Sequence, residues 1–288
     1  MSALDADVYL ADPKPIPSQV PPFDATGQQA TWPPTTATLV HGEHDALLVD
    51  TLITVDEARE LAAWVGASGK NLRAIYITHP HADHLFGLGT ILESFPEASG
   101  ITLADISPFM ASQVTPAFRA VWEGFFPGQI ATEIPLPEPV DAESFELEGR
   151  PVRFVSVGTS DTEHCSIVHI PDAGTVVAGD VVYNDVHMWL WGSTPQSRRE
   201  WLRALDEAER LQPRTVIAGH RSPSAADDDA SRLLDASRAY LADFEIAAAA
   251  AGSPQDIINT MMAKHGNRDN PYTLWVAAFD VMGRAGAA

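Results

Sequence analysis

Short apolar runs alternate with amphipathic segments along most of the chain. The strand-like runs cover residues 37–40, 46–50, 73–78, 101–104, 152–157, 166–170, 175–178 and 214–218. Helical patterns lie between several of these runs. Thr54 and Glu57 have the spacing of a capping box, and Thr194-Pro195 is typical of a helix start. Alternation of this kind predicts one layered α/β domain.

The pattern divides the chain into three parts. Residues 1–36 are rich in proline and show no period, which predicts an arm lying over the body of the protein. Residues 37–223 carry the α/β pattern and form the predicted catalytic domain. Residues 224–288 are helical, and we expect this extension to pack on the same domain. The mixed helical segment 107–126 fits either a lid or part of the core.

Composition narrows the class of partner. The chain has 288 residues and a formal net charge of -21, which repels phosphate backbones and anionic membrane surfaces. We therefore expect a small-molecule substrate and neither nucleic acid nor membrane as a partner, while a homodimer stays open. The acidic, proline-containing N-terminus resembles no secretory signal, and Cys165 is the single cysteine. Both features favour a cytoplasmic location.

The most informative stretch follows the strand at residues 73–78. It places His79, His81, Asp83 and His84 within six residues, directly after an apolar strand. A loop at a strand end can direct several side chains towards one centre, and imidazole nitrogen and carboxylate oxygen are ligands for zinc and similar metals. The stretch therefore predicts a metal site.

Three more potential ligands stand where later strands begin or end. His164 precedes the strand at 166–170, Asp180 follows the strand at 175–178, and His220 follows the strand at 214–218. Each residue alone is an ordinary surface or capping group. Their repeated placement at strand ends predicts convergence at one edge of a sheet.

These residues together resemble the metallo-β-lactamase fold superfamily of metal-dependent hydrolases. The resemblance covers roughly residues 36–222 and implies an αββα sandwich with a dinuclear metal site, here with a helical C-terminal extension. It implies that His79, His81 and His164 hold one metal, that Asp83, His84 and His220 hold the other, and that Asp180 bridges both. The chain departs from many members at Glu163, where they have glycine.

The implied cofactors are two Zn²⁺ ions, with iron or manganese as alternatives. The implied reaction is attack of a metal-bound hydroxide on a carbonyl, with Asp83 as a further catalytic group that moves the proton to the leaving group. A small carboxylic ester or lactone is the expected substrate. A glyoxalase II-like thioester hydrolase and an iron-bearing oxygenase on the same fold are the alternatives.

Further site residues are expected just after Asp180. Lactonases of this fold have a tyrosine near the offset of Tyr183 that hydrogen-bonds the substrate carbonyl, so Tyr183 is predicted to be catalytic and substrate-binding. His187 and Trp189 follow closely in an apolar stretch and are predicted to line the substrate pocket. Such a wall favours an acyl, aryl or lactone substrate over a phosphorylated one.

Overall fold

The computed structural model describes residues 3–24 and 27–287. Its strands are β1 (Asp5–Leu10), β2 (Lys14–Ile16), β3 (Ala30–Trp32), β4 (Thr36–His41), β5 (Asp45–Val49), β6 (Asn71–Tyr76), β7 (Ser99–Leu103), β8 (Glu138–Val140), β9 (Ser144–Leu147), β10 (Arg150–Gly158), β11 (Cys165–Ile170), β12 (Thr175–Val177), β13 (Tyr183–Asn184), β14 (Thr215–Ile217) and β15 (His220–Arg221). Its helices are α1 (Val55–Ala67), α2 (Ala82–Leu85), α3 (Leu88–Ser94), α4 (Ser107–Gln113), α5 (Pro116–Phe125), α6 (Pro195–Arg210), α7 (Ala230–Ala250), α8 (Pro254–His265) and α9 (Pro271–Ala287), with a short 3₁₀ turn at Gly179–Val181.

Two mixed sheets form the centre of the fold. The first has the order β1-β4-β5-β6-β7-β8, antiparallel from β1 to β5 and parallel from β5 to β8. The second has the order β14-β12-β11-β10-β9, in which only β12 and β14 are parallel. Because strands buried on both faces read as continuous apolar runs, the central strands β5 and β11 are mostly apolar and almost wholly buried.

The two sheets pack face to face through buried side chains. The ring of Tyr76 on β6 stacks on Phe154 of β10, with centroids 3.9 Å apart. The Tyr76 hydroxyl is 2.8 Å from Oγ of Ser166, and Ser166 donates its backbone N–H to the carbonyl oxygen of Thr78. Helices α1 and α3 pack together on the first sheet's side, and α6 contacts β10 of the second. This is the expected αββα sandwich.

The C-terminal helices extend the second helical layer. Helix α7 packs against α6 and α8, and α8 packs against α9. Their apolar faces share a buried cluster with β11, β12 and α6, which includes Trp201, Tyr240 and Phe244. The helical C-terminal extension is therefore present and belongs to the same core.

The N-terminal segment is more regular than its proline content suggests. Residues 5–10 form the edge strand β1, which pairs antiparallel with β4 from Asp5 opposite His41 to Leu10 opposite Thr36. Strands β2 and β3 form a small ribbon, and β3 contacts α9. Part of the predicted arm is thus built into the first sheet.

Helix α1 begins with the capping box that the sequence predicts. Oγ1 of Thr54 accepts the Glu57 N–H at 3.2 Å, and a Glu57 carboxylate oxygen accepts the Thr54 N–H at 3.1 Å.

Replacing Thr54 by alanine removes the hydroxyl that accepts the Glu57 N–H at a buried position. We expect this substitution to lower the free energy of unfolding by about 1 kcal/mol. Urea unfolding followed by circular dichroism measures the change. Thr132→Ala, at an exposed position, is the control, and equal midpoints for the two variants would contradict the prediction.

Candidate functional site

Asp50 is the anchor of the site. It follows β5, has a left-handed backbone with φ of 64°, and is buried. Its carboxylate accepts the backbone N–H and the hydroxyl of Thr78, each at 2.9 Å, and lies 2.8 Å from Nδ1 of His84. The loop after β6 is therefore tied to the end of β5. With Nδ1 of His84 engaged by Asp50, Nε2 is the nitrogen that is free to bind a metal.

Two groups of ligand atoms lie at this edge of the sandwich. The first comprises His79, His81, Asp161 and Asp180, and the second comprises Asp83, His84 and His220. Within each group the ligand atoms lie within 4.8 Å of one another. The structure thus brings together six of the seven residues that the sequence predicts as ligands.

Asp180 lies between the two groups. Its Oδ1 is 3.2 Å from Nε2 of His84, while its Oδ2 is 3.2 Å from Nε2 of His220 and 3.9 Å from Nε2 of His79. A carboxylate with contacts to members of both groups has the position required of a bridging ligand. Gly219 permits this approach, because a Cβ built there would lie only 2.1 Å from Oδ1 of Asp180.

The donors have the chemistry and burial of a metal site. His79, His84, Asp83, Asp180 and His220 are all nearly inaccessible to solvent. Nε2 of His79 has no hydrogen-bond partner among the residues that the structure describes, although it is buried. Imidazoles and carboxylates gathered without an ion would be costly, whereas divalent cations would satisfy them. The residues fit a metal pair.

The charges of these buried groups shift one another's pKa values. Burial disfavours the charged form of His84, but Asp180 and Asp50 outweigh it and raise the pKa of His84 well above its ordinary value. Burial likewise opposes ionisation of Asp180, yet His220 and His84 bring the pKa of Asp180 well below its ordinary value. The Asp180 carboxylate is therefore held ionised.

The structure differs from the sequence expectation at His164. Its ring is stacked on Phe109 of α4, with centroids 3.6 Å apart and planes 14° from parallel, and it belongs to neither ligand group. Asp161 occupies the place expected for it, with Oδ2 2.7 Å from Nδ1 of His81. The Ser160 N–H donates to the carbonyl oxygen of Thr162 at 2.9 Å, and this turn encloses Asp161.

Tyr183 and His187 also lie elsewhere than expected. The Tyr183 hydroxyl donates to Oδ2 of Asp180 at 2.8 Å, and the side chain is fully buried behind that carboxylate rather than on the pocket wall. Burial and the charge of Asp180 raise the pKa of Tyr183 well above its ordinary value, which keeps the phenol protonated as a donor. His187 is hydrogen-bonded to the Tyr240 hydroxyl at 2.9 Å, and burial lowers its pKa to about 3.

A cavity of about 430 Å³ opens onto the ligand groups. Its lining is Trp32, Pro33, His81, Asp83, Phe118, Val121, Trp122, Phe125, Asp180, Trp189, Trp191, His220, Tyr272 and Val276, so Trp189 lies on its wall. No lysine or arginine is among these described lining residues. The cavity is therefore an aromatic chamber with acidic and imidazole groups at one end.

Helix α5 supplies one wall of the cavity. Thr115 caps it by accepting the Phe118 N–H, and Pro116 takes the first helical position. Phe118, Trp122 and Phe125 then fall on one helical face and line the cavity. The segment 107–126, for which the sequence left lid and core open, thus contributes a wall next to the ligands.

Trp32 is a site residue that sequence analysis missed. Its indole Nε1 donates to Oδ2 of Asp83 at 2.9 Å, and its ring packs edge-on against Trp122 at 4.9 Å. Trp32 ends β3 in the proline-rich segment, where no periodic pattern marked it. The tryptophan joins a potential metal ligand to the aromatic wall.

The layers and the two ligand groups define a class of αββα proteins with metal-ligand types of side chain clustered at one edge. A family model described as the metallo-beta-lactamase superfamily matches residues 30–220, and the chain belongs to that superfamily, whose members are generally metal-dependent hydrolases. No curated protein matches the chain. No helix within residues 3–24 and 27–287 combines the length and apolar character needed to cross a membrane.

Solved structures share this fold at low identity. A metallo-beta-lactamase family protein from Thermus thermophilus is 20% identical, with a TM-score of 0.61 over 97% of this chain and 94% of that one. A beta-lactamase domain protein from Burkholderia ambifaria is 16% identical, with a TM-score of 0.63 over 97% and 87%. A metallo-beta-lactamase from Pontibacter korlensis is 17% identical, with a TM-score of 0.59 over 83% and 99%. These likenesses concern the fold.

The anchoring role of Asp50 can be tested by Asp50→Asn. An amide cannot accept from Thr78 and His84 at once without presenting its own donors, so His84 loses its fixed orientation. We expect metal affinity about 10–100-fold weaker, measured by competition with a chromophoric chelator. Asp12→Asn, at an exposed position, is the control. Unchanged affinity in Asp50→Asn would show that the anchor is not needed.

Proposed function

We propose that the protein is a dinuclear metal-dependent hydrolase that cleaves a small, uncharged carboxylic ester or lactone. The observation that carries this proposal is the cavity in which aromatic walls meet His81, Asp83, Asp180 and His220. An apolar chamber of this kind favours the acyl or aryl part of a substrate, while the ligand end receives the carbonyl. We propose Zn²⁺ as the metal, with iron or manganese as alternatives.

The two ligand groups would hold one cation each, with Asp180 between them. When bound, divalent cations supply water that ionises near neutral pH and Lewis-acid polarisation of a carbonyl oxygen. The protein contributes the fixed donors, the low-dielectric surroundings and the aromatic walls that orient the substrate. Removal of Asp180 would therefore affect both halves of the site.

Asp83 is placed to move a proton. Its Oδ2 accepts the Trp32 N–H and lies 3.3 Å from Nε2 of His220, at the inner end of the cavity. A carboxylate there can take a proton from the attacking water and pass it to the departing alkoxide. Trp32 fixes the carboxylate for this transfer and also forms part of the wall that contacts the substrate.

Tyr183 has a positioning role in this proposal. Its hydroxyl is committed to Asp180 and its ring stacks on His220, with centroids 5.2 Å apart. It therefore holds two potential ligands in place and does not contact the substrate. His187 lies in a separate hydrogen bond with Tyr240, so Trp189 alone of the three predicted substrate residues faces the cavity.

The cavity also separates the proposal from a glutathione thioester hydrolase. Glutathione carries carboxylates, which a site selects with lysine or arginine side chains. The described residues that line the cavity include neither, and three of the described carboxylates stand at its inner end or just behind it, at Asp83, Asp161 and Asp180. A cavity with carboxylates and without these basic side chains among its described lining residues favours a neutral substrate.

An iron-dependent oxygenase is a second candidate, and one observation favours it. The first group contains two histidines, His79 and His81, and two carboxylates, and the histidines with Asp161 alone would make the two-histidine, one-carboxylate donor set of many non-haem iron oxygenases. Metal analysis of the protein as purified discriminates between the two. Iron at one or more equivalents with little zinc, together with oxygen consumption, would favour the oxygenase.

The hydrolase proposal is tested with protein loaded separately with Zn²⁺, Mn²⁺ and Fe²⁺. We expect turnover of phenyl esters and alkyl lactones, loss of turnover with a chelator, and recovery on adding metal. Asp180→Asn should lower kcat/KM by at least about 10³-fold because the ligand shared by both groups is weakened. Preference for S-acylglutathione, or no metal-dependent turnover of any ester or lactone, would contradict the proposal.

The aromatic wall is tested by Trp191→Ala. This side chain is 54% exposed at the rim of the cavity, so its removal should leave folding intact. We expect KM for a naphthyl ester to rise about tenfold, with little change in kcat or in KM for a methyl ester, because only binding of the large group is lost. Phe279→Ala, an exposed aromatic away from the cavity, is the control. Equal effects on both esters would show that the rim does not contact the substrate.

A further inference from the structure

The loop between β10 and β11 holds the Asp161 carboxylate in a fixed orientation at the site. Oδ1 of Asp161 accepts the Ser160 hydroxyl at 3.0 Å, which leaves Oδ2 directed at His81, 2.7 Å from its Nδ1. The Asp161 side chain is inaccessible to solvent. Asp50 makes a similar contact with His84 but belongs to neither ligand group, whereas Asp161 belongs to the first group, so its second oxygen lies within reach of a cation held by His79 and His81.

The neighbouring imidazole of His164 is engaged elsewhere. It lies flat on Phe109, and its backbone is left-handed, with φ of 61°. The next residue, Cys165, begins β11, so the backbone on one side of His164 is fixed by sheet pairing. Directing this ring at His81 would break the stacking on α4.

The burial of Asp161 next to Asp180 favours cation binding. Asp161 and Asp180 belong to one ligand group, and both side chains are almost wholly buried. Two buried carboxylates repel each other unless a cation or a proton lies between them. A divalent cation between His79, His81 and these acids removes that repulsion.

We propose that Asp161, and not His164, completes the first metal position together with His79, His81 and Asp180. The whole site then has four imidazoles and three carboxylates, so that two divalent cations leave a net charge of one positive unit. With His164 in place of Asp161, the net charge would be two positive units. A carboxylate oxygen also binds manganese and iron better than a third imidazole does. The first metal position should therefore prefer zinc over manganese or iron less strongly with Asp161 than with His164.

This inference shares the metal site with the proposed function but does not depend on the substrate. Its test is metal content and spectroscopy, which report whether or not any ester is hydrolysed. Failure of the ester panel would leave Asp161 as a ligand, and failure of Asp161 as a ligand would leave metal-dependent hydrolysis intact.

The experiment compares Asp161→Asn, Asp161→His and His164→Gln with the unchanged protein. Each protein is reconstituted with Zn²⁺ or Co²⁺ and desalted, its metal is measured by mass spectrometry, and its Co²⁺ absorption spectrum is recorded. We expect about two equivalents in the unchanged protein and in His164→Gln, and about one in Asp161→Asn. Asp161→His should regain the second equivalent with an altered Co²⁺ spectrum, because nitrogen replaces oxygen.

Metal selectivity supplies a second measurement. We expect the ratio of Zn²⁺ to Mn²⁺ affinity to be about tenfold higher in Asp161→His than in the unchanged protein. If Asp161→Asn does not fold, His164→Gln and Asp161→His still decide the question. Loss of one equivalent of bound metal in His164→Gln would overturn the proposal. Two equivalents of bound metal and an unaltered Co²⁺ spectrum in both Asp161 variants would overturn it as well.

Discussion

The fold depends at its edge on one buried carboxylate that several chain segments share. Asp180 contacts His84 of α2, His220 of β15 and Tyr183 of β13. A charge in that position is tolerable only when it is fully paired, and every contact constrains the segment that supplies it. The close approach of Gly219 has the same origin, since any side chain there would meet the carboxylate.

The cavity is built from parts of the chain that lie outside the core of the superfamily as well as within it. Trp32 lies within the residues that the family model matches, whereas Tyr272 and Val276 come from α9, beyond those residues. Helix α9 supplies no member of the two ligand groups, yet it shapes the chamber next to them. Differences in substrate among proteins with the same metal site can therefore arise from such additions.

Short-range pattern predicted a layered α/β domain and the convergence of most of the site at one sheet edge, while the αββα sandwich was implied by the family resemblance. Apolar runs that stop at polar residues mark the ends of strands. Because strand ends meet at one edge of a sheet, the sequence alone predicted that His79, Asp180 and His220 lie close together. The capping box at Thr54 is equally local. These features need only a few consecutive residues to be recognised.

The parts that could not be predicted depend on loop conformation and on distant packing. Whether Asp161 or His164 reaches the site is decided by a turn at Ser160 and by the stacking of a ring on α4, neither of which leaves a pattern in the sequence. Tyr183 has the expected spacing from Asp180 but turns its hydroxyl to that carboxylate. Trp32 reaches Asp83 from 51 residues away in sequence, through a segment without periodicity.

The central claim is that Asp180 bridges two cations held by two distinct groups of side chains. Diffraction from crystals of the metal-loaded protein, recorded at the absorption edge of that metal, tests it most directly. The account predicts two anomalous peaks, one among His79, His81, Asp161 and Asp180, and one among Asp83, His84, His220 and Asp180. A single peak, or two peaks of which only one contacts Asp180, would contradict it.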